Sequence, residues 1–249
     1  VLYITMEMSE ERIAERIDAN LLNLTMDELK VVDKDIFEGR IDKLKKKTQG
    51  KLIVKEYPTA SAHAGHFRAL LEELKLKREF VPDIVFIDYL NICSSQRMKA
   101  GANVNSYTFV KAIAEELRGL AVEYNVPIVS ATQTTRSGYA NSDPGLEDTS
   151  ESFGLPATAD FMFALVSSEE LENLNQIIVK QLKNRYNDPN YYKRFVVGID
   201  RSKMKLYDVE ASAQEGLADT GHMKDDKPVF DKSGFGSRMQ AEDFSGFKF

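Results

Sequence analysis

This sequence of 249 residues has one cysteine and no tryptophan, and none of its apolar runs approaches the length that crosses a bilayer. The lone thiol, Cys93, excludes an internal disulfide and is typical of a reducing cytoplasm. No charged and apolar leader precedes the first apolar run, so we expect a soluble intracellular protein without a membrane partner. An excess of positive charge is also lacking. The net charge of −6 excludes a uniformly basic coat for nucleic acid but allows a local basic loop.

The first half of the chain alternates short apolar runs with amphipathic stretches. The predicted strands are Val1–Thr5, Leu52–Tyr57, Ile84–Asp88 and Pro127–Thr132. The predicted helices begin near Ser9, Thr25, Ala62 and Ser106, and the buried stripe of the first is Ile13, Ile17 and Leu21. Strands that alternate with helices indicate an α/β fold, in which crossover helices cover a mostly parallel sheet. We expect the third and fourth of these strands to be buried.

The second half of the chain has a different pattern. Four strands with short connections are predicted at Phe161–Ser167, Ile177–Lys183, Arg194–Asp200 and Lys205–Val209. This pattern predicts that antiparallel hairpins in the C-terminal half of the chain extend the parallel sheet. Apolar periodicity then stops, so we expect one folded domain over residues 1–210 and an acidic and polar, mostly disordered tail over residues 211–249.

The third predicted strand ends on a carboxylate, Asp88. An acid at the C-terminal end of a buried parallel strand lies where open α/β sheets bind ligands. In nucleotide hydrolases this position holds the Walker B aspartate, which organises Mg²⁺ beside the phosphates. The alternative is an aspartate that caps the following turn, because such acids are common in turns.

Two more polar side chains follow predicted strands. Glu7 stands between the first strand and first helix, where it could activate water for attack on a γ-phosphate or merely complement the helix dipole. Gln133 closes the fourth strand, where its amide could hydrogen-bond a terminal phosphate. Arg136 could relay that contact or bind a DNA phosphate. For Gln133 and Arg136 the alternative is an ordinary exposed loop.

Lys183 and Arg185 form a pair of cations at the end of a predicted strand. A spacing of two residues places both side chains on the same face. Two cations there could stabilise the charge that develops on a transferring phosphoryl group. They could also belong to a solvated strand edge, since edge lysines prevent aggregation.

Taken together and in this order, the motifs resemble those of the DnaB-like replicative helicases, most closely those of T-even-type tailed bacteriophages. The resemblance covers roughly residues 1–210. The matching segments are residues 4–9, 87–90, 130–136, 151–152, 157–160 and 183–185. The family implies a RecA-like three-layer core and five catalytic positions. They are Glu7 as catalytic base, Asp88 as Walker B acid and metal ligand, Gln133 as γ-phosphate sensor, and Lys183 and Arg185 acting on the neighbouring subunit's site.

The resemblance also implies cofactors and partners. ATP and Mg²⁺ are the expected cofactors, with Asp88, Gln133, Lys183 and Arg185 contacting the nucleotide. Single-stranded DNA, a homo-hexameric ring, a primase and a helicase loader are the expected partners, in the host-cell cytoplasm for a phage protein. Residues 94–105 and 134–154 would line a central channel. The candidate DNA-binding residues there are Arg97, Lys99, Arg136, Glu151, Ser152 and Gly154.

The sequence departs from the family in one respect, because the phosphate-binding motif G-x-x-x-x-G-K-[ST] is absent. In the family that motif precedes the segment that begins here at Val1. We therefore expect a C-terminal fragment of a longer helicase that, by itself, neither binds ATP tightly nor hydrolyses it. Two other interpretations stay open: a RecA-type recombinase that forms filaments on DNA, and a catalytically silent RecA-like interaction module.

Overall fold

The computed structural model describes residues 1–98, 105–134, 143–148, 154–188, 191–210 and 214. The chain divides into two compact units, Val1–Ala218 and Asp219–Phe249, and the second lies outside the described residues. The predicted tail therefore stays a prediction. Within the described ranges, no helix is both long and apolar enough to cross a bilayer.

A four-stranded parallel sheet forms the centre of the first unit. Its strands are β1 (Leu2–Thr5), β2 (Ile53–Glu56), β3 (Val85–Asp88) and β4 (Ile128–Ser130), in the order β2-β1-β3-β4. All neighbouring pairs are parallel, as the alternating pattern predicts. Parallel strands end at a common edge, so the residues that follow β1, β3 and β4 lie at the same edge of the sheet.

Five helices accompany this sheet. They are α1 (Glu10–Leu22), α2 (Met26–Val31), α3 (Lys34–Lys47), α4 (Ala64–Arg78) and α5 (Ser106–Tyr124). The predicted caps are confirmed: Ser9 caps α1 and Thr25 forms a capping box with Glu28 at α2. The main core lies between the sheet and helices α4 and α5. Its side chains include Leu2, Ile4, Val85 and Ile87 from the strands, Phe67, Leu70, Leu71 and Leu74 from α4, and Val110, Ile113, Leu117 and Leu120 from α5.

The second half forms an antiparallel sheet preceded by a short helix. The elements are α6 (Gly154–Thr158), β5 (Phe161–Val166), α7 (Glu169–Asn173), β6 (Gln176–Asn184), β7 (Arg194–Asp200) and β8 (Lys205–Asp208). The strand order is β5-β6-β7-β8, which confirms the predicted hairpins. Among the described residues these strands form a sheet of their own, and β4 and β5 are each paired on one side only.

Two expectations about burial were wrong. Leu21 is 51% exposed, and the buried residues at this end of α1 are Ala19 and Leu24. Four residues turn a helix about 40° past a full circle, so a stripe at four-residue spacing leaves the buried face. Strand β4 is also not buried, since Val129 is 39% exposed. Its place at the edge of the sheet, which no local pattern predicts, explains that exposure.

Candidate active site

The C-terminal ends of three adjacent strands bring Glu7, Asp88 and Gln133 to the same edge of the parallel sheet. Thr5 is the register partner of Asp88, and Met6 N–H donates to the Asp88 carbonyl at 3.0 Å. On the other side of β3, Leu90 N–H donates to the carbonyl of Ala131 at 3.3 Å. Neighbouring strands lie about 4.8 Å apart, so residues that directly follow these paired positions lie close together.

A rigid turn presents Glu7. The Thr5 hydroxyl donates to the Met8 carbonyl at 2.9 Å and accepts from the Met8 N–H at 3.1 Å. The Thr59 hydroxyl donates to the carbonyl of Met6 at 2.6 Å. Thr5 is fully buried, whereas Glu7 is exposed. The turn therefore holds a solvent-accessible carboxylate on a fixed backbone, which is what the activation of a water molecule requires.

The carboxylate of Asp88 is held by a tyrosine. The Tyr3 hydroxyl donates to Asp88 Oδ2 at 2.9 Å. Burial, and then the hydrogen bond and charge of Asp88, raise the pKa of the Tyr3 phenol above its usual value. The phenol therefore stays protonated and acts as a donor, so one carboxylate oxygen of Asp88 has a fixed direction.

Gln133 is linked to the residue that follows Asp88. Its Nε2 donates to the hydroxyl of Tyr89 at 3.3 Å. The Ser130 hydroxyl donates to the carbonyl of Ile87 at 2.8 Å and ties the end of β4 to β3. The Gln133 side chain is exposed at this edge, so its amide is available to a ligand there.

The predicted cation pair lies on the antiparallel sheet, against α6. Lys183 Nζ donates to the carbonyl of Pro156, and Arg185 Nη2 donates to that of Ala157 at 2.9 Å. Both side chains thus lie on the same side of the chain, as their spacing predicts. Burial, and then the nearby guanidinium of Arg185, lower the pKa of Lys183. These contacts are within the protomer, so action on a neighbouring subunit stays a prediction.

Two residues beside this pair were not predicted as site residues from the sequence. Asp160 Oδ1 is 2.8 Å from Arg185 Nε and 2.8 Å from Arg118 Nη1, so one carboxylate joins two guanidinium groups. Arg118, on α5, also donates to the carbonyl of Thr158 at 2.8 Å. Asp160 is the last residue of segment 157–160, which matches the helicase family, so the resemblance pointed to this position. Nothing local marks Arg118, whose partner lies 42 residues further along.

The start of the first predicted DNA loop is fixed to α5. Arg97 forms ion pairs with Glu115 at 2.8 Å and Glu116 at 3.4 Å, and it donates to the Ala112 carbonyl at 3.0 Å. Its charge is therefore balanced by two carboxylates in this structure. The prediction that Arg97 contacts DNA stays a prediction.

Part of the second predicted DNA loop is fixed to the antiparallel sheet. Asp143 pairs with Lys180 of β6 and Arg194 of β7, and Lys180 also donates to the carbonyl of Pro144 at 2.7 Å. Gly154 is buried at the start of α6, so its predicted contact with DNA would require α6 to move. The other candidate residues lie outside the described ranges: Lys99, Arg136, Glu151 and Ser152.

The residues at the sheet edge fit magnesium only together with a nucleotide. Within the described ranges, no group of three or more histidine, cysteine, aspartate or glutamate side chains could hold a metal ion. Mg²⁺ in nucleotide sites commonly takes one or two protein carboxylates and completes its shell with phosphates and water. A single carboxylate fixed by Tyr3 matches that arrangement.

Comparisons with known proteins agree with this architecture. The family described as "DnaB-like helicase C terminal domain" matches residues 1–191. The chain is 47% identical over 213 residues to a DnaB-like replicative helicase of Enterobacteria phage T4, covering 84% of this chain and 45% of that protein. It is 29% identical over 169 residues to the replicative DNA helicase DnaB of Helicobacter pylori, covering 66% and 33%. The chain thus spans less than half the length of these curated relatives.

Solved structures give the same fold. One ATPase domain superposes with a TM-score of 0.68 at 19% identity, covering 84% of this chain and 75% of that chain. A DnaB-like replicative helicase, solved in a study of its interactions with primase, superposes with a TM-score of 0.66 at 18% identity, covering 84% and 51%. The expected RecA-like fold is confirmed.

Proposed function

Because this chain belongs to the family of DnaB-like helicase C-terminal domains, we propose that it is the motor part of a ring-shaped replicative helicase. The motor would hydrolyse ATP, move along single-stranded DNA and unwind the duplex ahead of it. The observation that carries this proposal is the convergence of Glu7, Asp88 and Gln133 at the edge of three adjacent parallel strands.

Each of these three residues has a separate task in the proposal. Glu7 accepts the proton of the attacking water, and its turn keeps the carboxylate in place. Asp88 holds the magnesium ion directly or through water, and Gln133 hydrogen-bonds the γ-phosphate. When bound, the ion neutralises charge on the phosphates.

Lys183 and Arg185 would complete the site of the adjacent subunit. Arg185 keeps 41% of its side chain exposed. Besides its ion pair with Asp160, it donates to the carbonyl of Ala157 in α6 and to that of Ala159 just after the helix. A cation held in this way can still reach an anion on another subunit. A silent interaction module has no need for two cations, two acids and an amide in this arrangement, so the motor is the better reading.

The phosphate-binding loop would come from a part of the protein outside these 249 residues. Strands β4 and β5 are each paired on one side only among the described residues. Phe161, Phe163 and Leu165 of β5 are between 49% and 60% exposed. In the proposal, the strand and helix that carry the loop would also cover such apolar side chains.

DNA binding and assembly follow from the same proposal. In a hexamer the loops over residues 94–105 and 134–154 of all subunits would converge on one channel, so an acidic subunit could still bind phosphates. Primase and a loader are proposed partners of the longer protein, in the host-cell cytoplasm. A recombinase filament is the second candidate, and electron microscopy with a nucleotide analogue separates closed rings from filaments.

A complementation experiment in the longer protein tests the shared site. Arg185→Ala rings should lose hydrolysis by at least about 1,000-fold, the scale of an arginine finger. Glu7→Gln rings should lose it by at least about 100-fold, the scale of a general base. Mixed rings should regain activity, because an Arg185→Ala subunit still has Glu7 and its Glu7→Gln neighbour still has Arg185. With random mixing, up to roughly a quarter of the interfaces are intact in a head-to-tail ring.

The control is Arg201→Ala. Arg201 is a half-exposed cation after β7, and its ion pair with Glu172 is 3.9 Å long. Its loss should leave the hydrolysis rate unchanged. Mixed rings that stay inactive although their subunits have exchanged would contradict a site shared between subunits.

A further inference from the structure

Tyr3 sits beside the proposed metal ligand. It is the register partner of Phe86, and the two rings stack with their centroids 6.1 Å apart and their planes 21° apart. Phe86 and Asp88 are two residues apart on β3, so they share a face of the sheet. From this stack the Tyr3 hydroxyl reaches Asp88 Oδ2 at 2.9 Å.

The stack accounts for the ring of Tyr3 but not for its hydroxyl. A phenylalanine would fill the same half-buried position beside Phe86. The hydroxyl adds one thing, which is a proton donor aimed at a carboxylate at the functional edge of the sheet. A phenol has an ordinary pKa near 10, so it donates at neutral pH.

We infer that Tyr3 is a positioning residue that orients the Asp88 carboxylate for the magnesium ion. The inference rests on the proposed function and adds a residue to it. The hydrogen bond engages Oδ2 and limits rotation of the carboxylate, so the other oxygen is directed to the ion or its water. Hydrogen-bond partners of metal ligands commonly set metal affinity and activity in this way.

The structure supplies a matched control. The Tyr124 hydroxyl donates to Glu72 Oε1 at 2.8 Å, so Tyr124→Phe removes the same kind of bond. Tyr124 ends α5, and its ring packs against the core rather than at the edge that carries Asp88. A loss common to both variants therefore reports on the fold, and a loss confined to Tyr3→Phe reports on Asp88.

The experiment measures two quantities in the longer protein: Mn²⁺ affinity with a non-hydrolysable ATP analogue, by electron paramagnetic resonance, and ATP hydrolysis over a range of Mg²⁺ concentrations. Tyr3→Phe should weaken Mn²⁺ binding about 10-fold, and Tyr124→Phe should leave it unchanged. Tyr3→Phe should lower kcat about 10-fold and raise the Mg²⁺ concentration for half-maximal activity by a similar factor. The KM for ATP at saturating Mg²⁺ should change less than about twofold, since Tyr3 contacts only Asp88, whose proposed link to the nucleotide is the ion. Assays run below the unfolding transition of every variant keep differences in stability out of the comparison.

The Asp88→Asn variant distinguishes a failure of the inference about Tyr3 from a failure of the proposed function. If it abolishes hydrolysis while Tyr3→Phe matches Tyr124→Phe in both kcat and Mg²⁺ requirement, the role of Tyr3 is wrong and the motor stands. If Asp88→Asn retains full hydrolysis, the proposed function itself is wrong. A Tyr3→Phe loss that Tyr124→Phe does not share supports the inference.

Discussion

At the scale of single residues, Glu116 organises the entry to the first predicted DNA loop. The Glu116 side chain is only 8% exposed. Its carboxylate accepts from the Ser95 hydroxyl at 2.6 Å and from the backbone N–H of Gln96 at 2.9 Å and of Arg97 at 3.2 Å. Burial alone would raise the pKa of Glu116, but these hydrogen bonds hold it below its usual value. The loop is thus anchored by one buried charge.

The depressed pKa of Glu116 fixes the direction of a pH effect. Its stabilisation is complete above the unfolded pKa, near 4.5, and is lost as the pH falls through the folded value. Glu116→Gln should lower the free energy of unfolding by about 2 kcal/mol at pH 7. That loss should shrink towards zero in acid, as urea unfolding at several pH values would measure.

Glu115→Gln is the comparison for Glu116. Glu115 also pairs with Arg97, but its side chain is 41% exposed. An exposed ion pair contributes at most about 1 kcal/mol, so its loss should be small at every pH. Equal losses for the two variants at pH 7 would contradict the anchoring role.

The candidate site could be predicted from the sequence only where side chains follow apolar runs. Asp88 ends β3, while Glu7 and Gln133 follow β1 and β4 within three residues. Parallel strands share an edge, so the convergence of these residues was predictable. Tyr3 lies inside a strand, where it resembles any aromatic strand residue. The hydrogen bond of its hydroxyl could not be predicted, because it depends on the strand register that places Asp88 nearby.

At the scale of elements, helix α6 holds the cation pair, Lys183 and Arg185, through its carbonyl groups. The last carbonyl groups of a helix have no partner within the helix and carry partial negative charge. Lys183 and Arg185 donate to those of Pro156 and Ala157, and Asp160 adds a full charge just beyond the helix. Since α6 directly follows the second predicted DNA loop, any shift of α6 would move the cation pair.

The Asp160→Asn variant tests whether the Asp160 carboxylate positions Arg185. The variant removes the carboxylate that Arg118 and Arg185 share, so hydrolysis by the ring should fall about 10-fold because the Arg185 guanidinium loses its direction. Stability should fall by no more than about 1 kcal/mol, because both pairs are well exposed. Steady-state hydrolysis and thermal unfolding of the same preparation measure the two effects.

Asp208→Asn, at the exposed end of β8, is the matched control and should change neither quantity. If Asp160→Asn retains full hydrolysis while Arg185→Ala abolishes it, the Asp160 carboxylate does not position Arg185.

Elements with a strong local signal were predictable, and their places in the sheet were not. Helices α4 and α5 have caps and long apolar stripes, so their starts near Ala62 and Ser106 were correctly predicted. Strand β4 has an apolar run typical of a buried strand but lies at an edge. The hairpins were predicted as an extension of the parallel sheet, whereas among the described residues they pair only with one another. Which strand lies beside which depends on contacts far apart in sequence.

At the scale of the whole molecule, the sequence supplies acids, an amide and cations but lacks the motif that cradles phosphates. Nucleotide hydrolases that carry this motif bind phosphates chiefly through backbone N–H groups of the glycine-rich loop and its lysine. The sequence has no G-x-x-x-x-G-K-[ST], so most of the affinity for a nucleotide would have to come from elsewhere.

Calorimetric titration of the 249-residue chain with MgATP tests that conclusion. We expect no saturable heat up to about 1 mM nucleotide, because the remaining groups offer mainly side chains that depend on bound phosphates for their geometry. The longer protein should bind in the micromolar range under the same conditions. Micromolar binding by the 249-residue chain alone would show that the other residues suffice.

The Thr5 hydroxyl hydrogen-bonds both the carbonyl and the N–H of Met8, and this limits which side chains can replace threonine at position 5. Serine retains both hydrogen bonds, whereas valine retains the shape and deprives the carbonyl and N–H of Met8 of this partner. We therefore expect threonine or serine at this position in any protein that forms the same turn.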